Sequence, residues 1–105
     1  MARKHILIAT ALAACVATAA AAAPDVRAGR LLASNCTQCH ATNGQPRNGG
    51  IESLAGKSYS SLKKDMLELA KKPLGSDAEE EIMIIHAQAY TAAEIDAIAY
   101  FLSLP

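Results

Sequence analysis

Two thiols and an imidazole stand within five residues of one another in Cys36-Thr37-Gln38-Cys39-His40. C-x-x-C-H is the attachment signature of a c-type haem. Two thiols three positions apart, at the end of a helix, can each form a thioether to one of the vinyl-derived carbons on one edge of a porphyrin. The histidine that follows then comes up beneath the iron as the proximal ligand. A bare C-x-x-C also suits a thioredoxin-like redox pair, but that fold needs βαβ elements and a longer chain. Half of a zinc site is the other possibility. No second C-x-x-C and no H-x₃-H is present to complete four ligands, and His86 is the sole histidine downstream of His40.

The sixth iron position needs a second donor, and the residues downstream offer Met66, Met83 and His86. A thioether opposite an imidazole raises the reduction potential and suits electron transfer. Met66 falls on the apolar stripe of a predicted helix, where methionine usually fills space. Met83 heads the apolar patch Met83-Ile84-Ile85, and His86, three residues on, shares its helical face. These residues by themselves leave the choice open.

The elements that must hold these groups are helical. A short helix is expected over 24–35, with Asp25 near its start, Val26, Leu31 and Leu32 as apolar positions, and Asn35 closing it. A loop rich in Asn, Gly and Pro follows over 41–56, leaving backbone free for close approach. Over 60–72, Leu62, Met66, Leu69 and Ala70 form one stripe; Lys71 and Lys72 suit the C-terminal dipole, and Pro73 stops the helix. Ser76-x-x-Glu79 reads as a capping box opening a third helix, with Asp77, Glu79, Glu80 and Glu81 in its first turn. Thr91-x-x-Glu94 is a second box, followed by Ile95, Ile98, Ala99 and Leu102 at helical spacing. Nothing alternates in the manner of a strand. The expectation is an all-α domain of about four short helices around one covalently bound haem.

The first 23 residues read as a separate unit. Met-Ala-Arg-Lys-His is basic, Ile6 to Ala23 is apolar, and Ala21-Ala22-Ala23 ends the run with small residues. That is the pattern of a cleaved secretory signal peptide, with cleavage after Ala20 or Ala22 as alternatives to Ala23. It leaves 24–105 as the exported domain, with no integral membrane segment after processing. Cys15, in Leu12-Ala13-Ala14-Cys15, also resembles a lipid-attachment site, but the apolar run continues past it. Export fits covalent haem attachment, which in bacteria belongs outside the cytoplasm, so the periplasm is the expected location.

Acidic and basic residues balance at ten each across the chain. Arg3 and Lys4 leave with the leader, and the remaining mild acidity argues against nucleic acid as a partner. Aromatic residues make up only 4% and there is no Trp. A core so poor in large side chains needs a staple, and the cofactor is the obvious one.

The segment 24–105 resembles a class I c-type cytochrome of the small bacterial group that includes the haem subunit of flavocytochrome c sulfide dehydrogenase. The residues that carry the likeness are Cys36-Thr37-Gln38-Cys39-His40, Gly50-Ile51-Glu52-Ser53-Leu54-Ala55-Gly56, Met83, Ala89-Tyr90-Thr91 and Ala97-Ile98-Ala99-Tyr100-Phe101. In that group a methionine stands seven residues before the tyrosine that precedes the last helix. The resemblance therefore implies Met83 as the sixth ligand, beside His40, with Cys36 and Cys39 holding the haem. It also implies an electron carrier rather than an enzyme, working with redox proteins such as a flavoprotein dehydrogenase. The chain departs from the group's pattern at Glu52, where Pro usually follows the Gly-Ile pair and its carbonyl orients the proximal histidine, and at Ala89, where Gly is common. The alternative is a haem sensor or haem enzyme with an open or histidine-ligated sixth position. Tyr90 and Tyr100 are expected in the core or against the haem, and Tyr59 is expected to donate to a propionate.

Overall fold

In a computed structural model of the chain, residues 11–15, 23–40 and 51–105 are described. Most of the expected leader, including Ala20 and Ala22, and loop residues 41–50 lie outside them. Four helices form: α1 (Val26–Ala33), α2 (Tyr59–Lys71), α3 (Glu81–Gln88) and α4 (Ala92–Ser103). A single 3₁₀ turn, Cys36–Gln38, follows α1 almost directly. No β-strand forms among the described residues, and none of their helices is long and apolar enough to cross a membrane.

Helix α1 starts where Asp25 Oδ1 accepts from the backbone N–H of Arg27 and Ala28, at 2.9 and 3.3 Å. Its contact face differs from the expected one. Val26 and Leu31 are exposed, the latter to 68%, while Gly29 and Ala33 are buried one helical turn apart. The reason is how closely α1 packs on α4. A Cβ at Gly29 would lie 2.3 Å from the carbonyl oxygen of Ala97, so only small residues fit this crossing. Ser34, not Asn35, caps the helix, with its Oγ donating to the Leu31 carbonyl at 2.7 Å.

Helix α2 packs on both α3 and α4 and is capped by Ser58, whose Oγ accepts from Ser61 N–H at 3.2 Å. Leu62 is its one fully buried residue. The α2–α4 contact is also polar: the Tyr59 hydroxyl donates to Asp96, Lys63 Nζ pairs with Asp96 at 2.6 Å, and the Tyr59 and Tyr100 rings meet edge to face at 5.8 Å.

The expected box at Ser76 and Glu79 does not form. Ser76 Oγ donates back to the Pro73 carbonyl at 2.6 Å, and Asp77 Oδ1 accepts from Glu79 and Glu80 N–H instead, at 3.1 and 3.2 Å. The turn Asp77 closes delays α3 until Glu81. The acids expected to serve the helix dipole serve as tethers as well. Glu80 pairs with Lys72, and Glu81 Oε2 accepts from Gly75 N–H at 2.9 Å, where Gly75 has φ 78°. At α4 the box is present in full: Glu94 N–H donates to Thr91 Oγ1 at 3.2 Å and Thr91 N–H to Glu94 Oε2 at 2.8 Å. Ile84, Ala87, Ile95, Ala97, Ile98 and Ala99 join Ala33 and Leu62 in a small aliphatic core.

Candidate haem site

The 3₁₀ turn after α1 presents the whole motif. Cys39 and His40 N–H both donate to the Cys36 carbonyl, at 3.2 and 2.9 Å, which folds the five residues into one compact turn. Cys36 and Cys39 are free thiols. Cys36 is partly buried, and burial pushes its thiol up, so before any bond forms it is held as the neutral S–H.

The imidazole is fixed from the other side. His40 Nδ1 lies 2.6 Å from the backbone carbonyl of Glu52. A carbonyl only accepts, so Nδ1 carries the proton and Nε2 keeps the lone pair. A carbonyl that accepts from this ring N–H orients a metal-bound histidine and raises its basicity. The position where proline is usual is occupied by Glu52, and its backbone carbonyl fills the role.

Cys36, Cys39 and His40 border a cavity of about 530 Å³, which lies within the size range of cofactor sites. Its apolar lining comes from the segment before α2 and from α2, α3 and α4, including Leu54, Leu69, Ile82, Ile98 and Leu102. Met66, Met83 and His86 all line it too, so the three sixth-ligand candidates named from sequence converge on one space. Tyr90 also lines it, and Asn35 Nδ2 donates to the Tyr90 hydroxyl at 3.1 Å.

Tyr59 does not reach the cavity. Its hydroxyl is committed to Asp96, so the expected propionate contact is replaced by the α2–α4 anchor. Tyr100 packs on Tyr59 rather than on the cavity. Sequence reasoning passed over Asn35 and Lys57 as groups of the site. Lys57 lines the cavity and pairs with Glu52 Oε1 at 2.6 Å.

The donor set fits a planar covalent cofactor better than a bare ion. Among the described residues, no three His, Cys, Asp or Glu side chains cluster to hold a metal by themselves. Two thiols at the rim, one oriented imidazole and an apolar hollow match a haem. The cytochrome c family profile matches residues 26–104, which is nearly the whole of the folded part.

The chain belongs to the cytochrome c family.

It is therefore a haem-binding electron-transfer protein that carries covalently bound haem c with its iron. Searches of curated proteins and of solved structures return no significant match. In this cytochrome, the motif turn and all four helices fall within the residues that the family match covers.

Proposed function

We propose that this cytochrome is an exported, periplasmic single-haem electron carrier, matured by removal of residues 1–23. Cys36 and Cys39 form the two thioethers, and His40 and Met83 are the axial ligands. Bound haem supplies a one-electron Fe(III)/Fe(II) couple. The polypeptide orients His40 through Glu52, encloses the ring in aliphatic side chains and keeps water from the iron. The single observation that carries this reading is the His40 Nδ1–Glu52 carbonyl bond beside a cavity that both thiols and Met83 also line.

Met83 is chosen over Met66 by its seven-residue distance from Tyr90, the spacing of the resembling group. The same resemblance supports a flavoprotein dehydrogenase, acting on sulfide or another small donor, as the redox partner. The mild acidity of residues 24–105 and the exposed Lys64 and Lys71 on α2 are compatible with docking to such a protein.

His86 supports a second reading, since it lines the cavity within one turn of Met83. A histidine-ligated haem would have a lower potential. One experiment separates the two. With Met83 bound, the oxidised protein shows the near-infrared sulfur-to-iron charge-transfer band; Met83→Ala abolishes it and Met66→Ala leaves it. Met83→Ala/His86→Ala becomes high-spin and binds carbon monoxide. Retention of the sulfur band in Met83→Ala overturns the Met83 assignment, and loss of low-spin character in His86→Ala alone supports His86.

A further inference from the structure

The bond from His40 to Glu52 is only as firm as the short segment that holds the carbonyl in place. Residues Glu52–Lys57 belong to no helix. Three interactions close the segment on itself. Lys57 N–H donates to the Leu54 carbonyl at 3.4 Å, and Ala55 N–H donates to Ser53 Oγ at 3.3 Å. Gly56 turns the chain with φ 78°, a conformation that an L side chain adopts only under strain. The third interaction spans the whole segment: Lys57 Nζ meets Glu52 Oε1 at 2.6 Å. The residue whose backbone holds the imidazole is thus gripped through its own side chain by a lysine at the edge of the cavity.

We propose that Lys57 is a positioning residue for His40, acting through a Glu52–Lys57 clasp that keeps the Glu52 carbonyl on the Nδ1 proton. This rests on the assignment of His40 as an iron ligand. The clasp restrains a segment with no proline of its own and tunes how much electron density the imidazole delivers to the iron. A firmer Nδ1–H···O=C bond makes the ring more basic and favours Fe(III). Lys57 acts by geometry rather than by its charge alone, and the two predict opposite signs. Removing a nearby cation disfavours the more positive Fe(III) state less and so lowers the potential. Loosening the carbonyl raises it.

The test uses the haem-loaded protein with variants that keep the net charge of the pair constant. Glu52→Gln/Lys57→Gln removes the clasp, and Glu52→Lys/Lys57→Glu reverses it. The first readout is the exchange rate of the His40 Nδ1 proton in the reduced, diamagnetic state, followed by NMR. The pair is partly exposed, Glu52 the more so, and pairs of that kind alter an equilibrium by about two- to fivefold. Exchange is expected to quicken by that factor in the double-Gln variant and to return to the wild-type rate in the reversed variant. The second readout is the reduction potential, which should rise in the first and recover in the second. Wild-type exchange in the double-Gln variant overturns the clasp. So does fast exchange in the reversed variant, because the identity of the residues rather than their pairing would then matter. A His40 ring lacking the upfield shifts of an axial imidazole overturns the ligand assignment and the clasp with it. A ring that shows those shifts but exchanges without regard to the pair overturns the clasp alone.

Discussion

Replacing Gly29 by alanine tests how far the crossing of α1 and α4 sets the stability of this cytochrome. The new Cβ would stand 2.3 Å from the Ala97 carbonyl oxygen, 2.9 Å from Phe101 Cβ and 3.0 Å from the Ala97 carbonyl carbon. Ordinary contact begins near 3.4 Å, so the helices must separate by about 1 Å at this point. Two of the three atoms belong to backbone within a hydrogen-bonded helix, so no rotamer change relieves them. Overpacking of this kind costs typically 1–3 kcal/mol, and a backbone obstacle places it near the upper end, about 3 kcal/mol. Against it stands the gain in helix propensity of alanine over glycine, about 1 kcal/mol. The net is a destabilisation of about 2 kcal/mol. For a domain this small that corresponds to a fall in Tm of roughly 8–16 °C. Thermal unfolding of the haem-loaded protein, followed by circular dichroism, measures it. Ala97→Gly and Phe101→Ala remove none of the three atoms, so neither restores stability when combined with Gly29→Ala. A Gly29→Ala protein that melts at or above the wild-type temperature, or that Ala97→Gly rescues, would refute the reasoning. The helices would then have room to slide, and the small face of α1 would not be a steric requirement.

Other expectations follow from the same contacts. Cys36→Ala/Cys39→Ala should lose haem on denaturing electrophoresis with haem staining, and should lose the sharp thermal transition as well, because cofactor binding is coupled to folding around so small a core. Thr91→Ala removes one half of the capping box on α4 and should cost about 1 kcal/mol, read as a lower Tm. Asp96 lies below the ordinary aspartate range because Lys63 and then Tyr59 hydrogen-bond its carboxylate. Its stabilisation is therefore complete above the unfolded value of about pH 4 and is lost as pH falls through the lowered one. Asp96→Asn should be less stable near neutrality and should lose less on acidification than the wild type, measured by denaturant unfolding across the acid range.

Much of this molecule is local, and what is local was legible in the sequence. The C-x-x-C-H motif carries its chemistry in five adjacent residues, and the cytochrome c family match bears out haem c as the cofactor. Helices α2 and α4 lie within a residue or two of where their stripes and stop signals placed them, and the Thr91–Glu94 box closes as read. Each of these depends on groups three or four positions apart, whose relative geometry the helix itself imposes. Where two local signals competed, the sequence was ambiguous: Ser76 and Asp77 both suit a cap, and Asp77 took the backbone donors while Ser76 turned back to Pro73.

The rest was decided when the helices packed. Leu31 looks like a core residue from its type, and Gly29 does not. Only the closeness of α1 to α4 makes the glycine indispensable at the contact and leaves the leucine in solvent. Tyr59 has the chemistry to meet a propionate, but the meeting of α2 with α4 delivers its hydroxyl to Asp96, 37 residues away. Packing also brings Met66, Met83 and His86 to one cavity and sets the Glu52 carbonyl on His40 across twelve residues of chain. Sequence by itself determined which groups were available and which short elements carry them. Tertiary structure alone chose their partners, because pairings between distant residues are set by the steric fit of whole helices and not by any spacing along the chain.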